Sequence, residues 1–202
     1  LSGAASYQFN PTSTLRQIDF VLNGGLRVRS VMVDGKPSDF IMEKSVLSLT
    51  LPAGASTVVI EYSGSIKSPS LQSLAGYIGQ SSVYLQEGSN WLPRPQNLAS
   101  GRFALTGSIT APARLTFAVP GTLTSLDEAA GLRTWRYAME APYVDVALYG
   151  GIYQTLSLDV EGVSVELYIS PDHWDTSMAR DIPDLVSDIV SFYADRLGPY
   201  AL

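Results

Sequence analysis

The chain has 202 residues, 46% of them hydrophobic, enough for one large domain or two small ones with a real core. Its net charge is −6 and its 13 Lys and Arg are scattered singly, which excludes the basic footprint that a nucleic-acid partner requires. Cysteine is absent, so disulfides, thiol nucleophiles and thiolate zinc sites are excluded, and no apolar run approaches the ~18 to 20 residues that span a bilayer.

The N-terminus LSGAAS has neither a start Met nor a basic segment followed by an apolar one. It reads as a mature or cut end with any targeting signal upstream. The compartment is unknown from the sequence, with a periplasmic, extracellular or membrane-associated parent all compatible with it.

Strand-like alternation then begins. Ile18, Phe20 and Leu22 form one apolar face, Leu47, Leu49 and Leu51 a second, and Val58, Ile60 and Tyr62 a third. Between the first two sets, Asp34-Gly35 predicts a two-residue hairpin turn, because both central residues of a type I′ turn need positive φ. Residues 15 to 62 therefore read as antiparallel hairpins. From Ser63 to Gln80 the pattern breaks at Gly64, Pro69, Gly76 and Gly79, as in a loop joining two sheets, with Leu71, Leu74 and Tyr77 expected to pack down.

A second β block follows in Val83 and Leu85; Phe103, Leu105 and Ile109; Leu115, Phe117 and Val119; Trp135, Tyr137 and Met139; Val144, Val146 and Leu148; and onward to Ile169. Pro120-Gly121, Gly150-Gly151 and Glu161-Gly162 are the expected turns between these strands. The total is about a dozen strands without a repeat, as in a sandwich or a strongly curved sheet. Last comes a helix, with Asp181 expected as its N-cap, Pro183 in its first turn and Gly198 as its stop. Leu185, Ile189, Phe192 and Arg196 form one stripe; Val186, Val190, Tyr193 and Leu197 form another. Either the helix lies across a sheet of the same domain, or it also packs against something beyond Leu202, leaving about two or three side chains from both stripes exposed here.

Chemistry is constrained by what is missing. His173 is the single histidine, and a catalytic zinc usually takes three protein ligands, commonly two of them His. His173 stands in SPDHWDTS with no G-x-S-x-G elbow, and reads as an exposed loop residue rather than a catalytic base. Neither a G-x-G-x-x-G nor a Walker phosphate loop occurs. The carboxylate pairs Asp127-Glu128 and Glu140 with Asp145 are candidates for acid-base work, although such pairs are commonly solvated turn residues. Trp91 in VYLQEGSNWLPRP could offer an aromatic face to a sugar or pack at a sheet corner, while Trp135 and Tyr137 share a strand face and read as core.

The order of segments is informative where single segments are not. SVMVDGKPSDF, VLSLTLPAG, STVVIEYSGSI, VYLQEGSNWLPRP, FALTGSITAP with FAVPG, TWRYAMEAPYVDVALYGGIY, VELYISP and IVSFYADRLGPY follow one another across nearly the whole chain. This succession resembles the N-terminal β domain of aminopeptidase N-like zinc metallopeptidases of the gluzincin type. The resemblance implies a mainly β fold: saddle-shaped, mostly antiparallel curved sheets or a sandwich, with one C-terminal α-helix. It implies an N-terminal β domain over residues 1–180, with sub-blocks 1–65 and 81–170 joined by 66–80, and a linker helix over 181–202.

In that family a thermolysin-like catalytic domain follows, carrying a G-x-M-E-N motif and an H-E-x-x-H zinc motif with a downstream Glu. None of these motifs occurs here. The resemblance thus implies a fragment with no catalytic and no metal residue of its own, zinc in the parent aminopeptidase, and the parent's catalytic domain and peptide substrate as partners. Family members also present a Gln or Glu from a loop of this domain to the substrate's free amine. Gln86 or Glu87 stands at that place in the order, although the F-P-C-x-D-E-P stretch that follows in the family is missing. The competing reading is a free-standing β-sandwich module that binds carbohydrate or protein through an aromatic patch around Trp91.

Overall fold

The computed structural model of the chain describes residues 1–8, 16–67, 76–96, 103–143, 146–160 and 162–198. Among these, the regular structure is strand in antiparallel sheets, two short 3-10 turns and one C-terminal helix, the mainly β fold expected. Backbone contacts divide the chain into two units. The first is Leu1–Phe103 with Pro142–Tyr149, the second Ala104–Ala141 with Gly150–Leu202.

The first unit begins with β1 (Ser2–Gln8), β2 (Gln17–Val21), β3 (Leu26–Val33), β4 (Lys36–Pro37) and β5 (Ile41–Glu43). It continues with β6 (Val46–Thr50), β7 (Thr57–Gly64), β8 (Gly76–Ile78), β9 (Ser82–Leu85) and β10 (Arg94–Pro95). One sheet has the order β1-β7-β3-β4 and another the order β10-β2-β6-β5. Their inner faces share one core, formed by Ile18 and Phe20 of β2, Leu47 and Leu49 of β6, Val31 and Val33 of β3, and Val58, Ile60 and Tyr62 of β7. Side chains alternate across a strand, so a run such as Ile18-x-Phe20-x-Leu22 sends every apolar group to the same side. Each fully buried side chain of this size is worth about 1.5 to 3 kcal/mol.

Asp34 and Gly35 both have positive φ, 47° and 75°, and join Val33 of β3 to Lys36 of β4 in the expected two-residue turn. The sequence pattern predicts no strand at β1, because SGAASYQ is mostly small residues. Its pairing with β7 from Ser2↔Ser63 to Gln8↔Thr57 makes it the edge of the first sheet. Tyr7 lies on the core side, 4.9 Å from the Phe20 ring between centroids, and donates its hydroxyl to the Pro93 carbonyl. Burial, reinforced by Tyr62, pushes the Tyr7 phenol well above its ordinary value.

Leu71 and Leu74 lie outside the described residues. Tyr77 does not pack down: it sits on β8 and is 51% exposed.

The second unit holds all but the first residue of β11 (Phe103–Pro112), then β12 (Thr116–Ala118), β13 (Thr122–Ala129) and all but the last two residues of β14 (Leu132–Tyr143). Next come β15 (Leu148–Gly151), through which the division runs, β16 (Gln154–Val160), β17 (Val163–Ile169) and the helix α1 (Thr176–Leu197). Strand β14 lies between β11 and β13, and buries Trp135, Tyr137 and Met139 as expected. The Trp135 ring meets Phe117 edge-on at 5.0 Å, and the Tyr137 hydroxyl donates to the Phe117 carbonyl at 3.0 Å. Burial, with the nearby Glu166 carboxylate adding to it, pushes the Tyr137 phenol up to about 12.

Gly150-Gly151 is not a turn. Both residues belong to β15, and a Cβ on Gly150 would lie 2.3 Å from the Phe117 ring. The glycine is there so that the strand backbone can approach an aromatic ring. The helix also differs from expectation, because it starts at Thr176, five residues ahead of Asp181. Asp181 is therefore not its N-cap; its carboxylate accepts from the adjacent Arg180 at 2.8 Å. Pro183 falls inside the helix, where it removes one backbone donor without ending the element. The helix packs on β16, with Ile182, Val186, Val190 and Ala194 half-buried.

Candidate functional site

Gln86 and Glu87 open a short turn in the first unit. Leu85, fully buried, ends β9; Glu87–Ser89 then form a single 3-10 turn, and Asn90 closes it with φ of 48°. Asn is one of the few residues other than Gly that adopts this left-handed conformation readily. Within the turn, the Gln86 carbonyl accepts from the Ser89 backbone N–H at 3.0 Å and from the Ser89 hydroxyl at 2.6 Å. Ser89 is 1% exposed, and the space beside it exists because β8 places Gly76 there: a Cβ on Gly76 would lie 2.7 Å from the Ser89 Cβ.

The two side chains differ in their engagement. Glu87 forms an ion pair with Arg94 of β10, a half-exposed contact in the class worth about 0 to 1 kcal/mol. Gln86 turns its amide nitrogen toward the Tyr149 hydroxyl at 3.5 Å, the outer limit of a hydrogen bond. Tyr149 itself meets Tyr84 edge-on at 5.1 Å. With the nitrogen so directed, the side-chain amide oxygen of Gln86, Oε1, is the end left to accept from a ligand.

Asn23 anchors this turn from behind, and local sequence reasoning passed over it. It is one of two buried polar residues among those described, the other being Ser89. Its Nδ2 donates to the carbonyls of Ser89 at 2.8 Å and Lys67 at 2.9 Å. Its Oδ1 accepts from the backbone N–H groups of Gly25 at 2.9 Å and Lys67 at 2.8 Å. Its own backbone N–H donates to the Asn90 carbonyl at 2.8 Å. The signal available was Asn23-Gly24-Gly25, which marks a turn but does not tell where the amide points.

The remaining candidates resolve into structural roles. Asp127 and Glu128 are consecutive on β13, so their side chains leave opposite faces, and each is paired with an arginine of β14: Asp127 with Arg136, Glu128 with Arg133 at 2.7 Å. They do not converge on a common point. The Glu140 side chain and Asp145 lie outside the described residues. Trp91 is half-buried and donates its indole N–H to the Val146 carbonyl at 3.2 Å, so its polar edge is spent on packing. His173 is exposed in the 3-10 turn Pro171–His173 ahead of α1.

The donor set does not suit zinc. His173 is the single histidine, cysteine is absent, and among the described residues no three His, Asp or Glu side chains gather closely enough to hold a metal ion. No helix among the described residues is long and apolar enough to cross a membrane.

No protein-family model matches the sequence, and no curated protein matches it. Solved structures do. An M1 zinc metallopeptidase from Deinococcus radiodurans superimposes with a TM-score of 0.74 at 17% identity, over 98% of this chain and 49% of that one. The chain has the fold of half a metallopeptidase. A mutant of the Deinococcus radiodurans enzyme bound to a Tyr-Ser-Ala substrate gives 0.75 at 18% identity, over 98% of this chain and 50% of that one. A two-domain M1 zinc metallopeptidase mutant bound to L-arginine gives 0.73 at 18% identity with the same coverage. The structural neighbours are thus of the kind that the segment order resembled, and the chain spans about half their length.

Proposed function

We propose that the chain is the non-catalytic N-terminal β domain of a zinc aminopeptidase-like protein, residues 1–180, with the segment from 181 to 202 leading toward a catalytic domain. It scaffolds that domain and shapes the site that receives the peptide's N-terminus. The observation that carries this reading is the likeness over 98% of the chain to about half of the M1 zinc metallopeptidases. Zinc is assigned to the other half, because this sequence offers one histidine and no cysteine.

Within this reading, Gln86 and Glu87 face the substrate's ammonium group. Gln86 is the better acceptor, since its side-chain Oε1 faces no partner among the described residues while the Glu87 carboxylate is already engaged by Arg94, with which an ammonium would have to compete. The half-buried Trp91, with its N–H turned inward, gives no support to a sugar-binding module.

The reading frame that includes these 202 residues is expected to continue into an H-E-x-x-H motif with a downstream Glu, and the whole polypeptide to cleave aminoacyl amides in a zinc-dependent manner. The 202-residue chain alone is expected to give no turnover with or without added zinc. Metal-dependent turnover by the chain alone, or a whole polypeptide without the motif, overturns the proposal.

A further inference from the structure

We infer that Asn23 is a positioning residue for Gln86, acting through Ser89; the inference rests on the reading of Gln86 as an acceptor for the substrate amine. Asn23 does not reach Gln86. It fixes the turn that carries it.

The bonds form a continuous path. Asn23 Nδ2 holds the Ser89 carbonyl at 2.8 Å, its backbone N–H holds the Asn90 carbonyl at 2.8 Å, and Ser89 in turn holds the Gln86 carbonyl through its backbone N–H and its hydroxyl. On the other side, Asn23 is itself fixed by Lys67 and Gly25, so the turn is tied to two separate backbone segments. Among the described residues, the Gln86 side chain has only the 3.5 Å contact to Tyr149 as a tether of its own. A bond that long is weak, so where the amide stands is set by where its backbone is held.

The chemistry selects Asn specifically. Two donors and an acceptor with two lone pairs meet two carbonyls and two N–H groups, and every capacity is used. A carboxylate of the same shape would keep the bonds to Gly25 and Lys67 N–H but turn an oxygen toward the carbonyls of Ser89 and Lys67, replacing attraction by repulsion. A buried network of this sort, fully satisfied, serves to specify one arrangement. Both buried polar residues of the described chain, Asn23 and Ser89, belong to it.

The experiment compares Asn23→Asp, Gln86→Ala and the double variant in the full-length protein, using an aminoacyl p-nitroanilide. Inhibition by a dipeptide and by its des-amino analogue is measured alongside. Each single variant is expected to raise KM about tenfold with kcat within about twofold, and the double variant to be no worse than Gln86→Ala. The des-amino analogue should bind all variants equally, a readout that mere destabilisation would not give. If Asn23→Asp fails to fold, Ser89→Ala removes only the hydroxyl bond to Gln86 and should raise KM about threefold, with no further effect on a Gln86→Ala background.

Independent, multiplicative losses, or no effect of Asn23→Asp or Ser89→Ala beside a clear effect of Gln86→Ala, overturn the role of the anchor and leave Gln86 standing. An unchanged Gln86→Ala, or a full-length protein without turnover, overturns the reading of Gln86 and this inference with it.

Discussion

The Asp34 carboxylate reaches across from the β3–β4 turn to Ser56, accepting from its hydroxyl at 2.8 Å and its backbone N–H at 3.0 Å, and from the Thr57 N–H at 2.9 Å. One turn thereby anchors the start of β7, one of the two interior strands of the first sheet. The Ser56 hydroxyl first, then the backbone N–H groups of Ser56 and Thr57, hold the Asp34 carboxyl below its ordinary value of 3.8. A depressed folded-state value means that the contribution is present above 3.8 and is lost as the pH falls through the folded value. Asp34→Asn keeps a residue tolerant of positive φ while removing the charge. Urea midpoints of the two proteins should therefore differ near neutral pH, and the gap should close on acidification below about pH 4. A gap that does not change with pH would show that the charge is not what Ser56 and Thr57 recognise.

Burial separates two leucines of opposite standing. Leu47 on β6 is fully buried in the first unit's core, whereas Leu126 on β13, opposite Trp135 in the strand register, is 50% exposed. Leu47→Ala is expected to lower unfolding free energy by about 2 to 5 kcal/mol, through lost transfer energy and the cavity left behind. Leu126→Ala should stay within about 0.5 kcal/mol. Chemical denaturation of the two variants checks both, and equal losses would place β13 in a core.

Periodicity made the first unit legible. Ile18, Phe20 and Leu22 point to one face because that face is covered, and the same condition made Leu47 to Leu51 and Val58 to Tyr62 readable as strands. Where burial is lost, so is the signal. Strand β13 is exposed at every position except Ser125, which is only half-buried, so TLTSLDEA carries no alternation, and its closing turn is hidden by an Ala, Ala130, at φ of 53° ahead of Gly131 at 74°. Glycine misled in the other direction: Gly150 marks a close approach to Phe117, which depends on a ring 33 positions away, and reads locally like any turn. The candidate site was legible only as Gln86 and Glu87, by their place in an order of segments. Its anchor was not, because Asn23 makes its bonds to residues 44 and 66 positions away, and nothing in the neighbourhood of an Asn-Gly-Gly records them.

Gly150 is tested against a glycine of the other kind. Gly150→Ala places a methyl 2.3 Å from the Phe117 ring, an overpacking expected to cost about 1 to 3 kcal/mol. Phe117→Leu in the same chain should relieve part of that cost, so the double variant falls short of the sum of the singles. Gly162, at φ of 80° and with no neighbour within 4 Å, should lose about 1 to 2 kcal/mol on change to Ala from backbone conformation alone, with no relief from Phe117→Leu. Additive losses at Gly150 would mean that the ring is not the obstacle.

The helix α1 carries more apolar surface than β16 covers. Leu185, Ile189, Phe192, Tyr193 and Leu197 are all exposed, at 48% to 80%, so both stripes contribute, and more side chains stand open than the two or three expected. They recur at helical spacing beside the half-buried Ile182, Val186 and Val190, and the Arg196 guanidinium lies 4.3 Å over the Phe192 ring. A patch of this kind in water gains nothing from its apolar atoms, so changing it should leave the chain's own stability nearly untouched. Leu185→Ser with Phe192→Ser is expected to shift the unfolding free energy of the 202-residue chain by less than about 0.5 kcal/mol per site, while Val190→Ser costs more. Under the proposed function the same pair of substitutions in the full-length protein should be strongly destabilising, about 1.5 to 3 kcal/mol for each side chain that a catalytic domain buries. Thermal and urea unfolding of both lengths decide it. A full-length protein as indifferent to the substitutions as the 202-residue chain would leave the helix face without the partner that the proposal assigns to it.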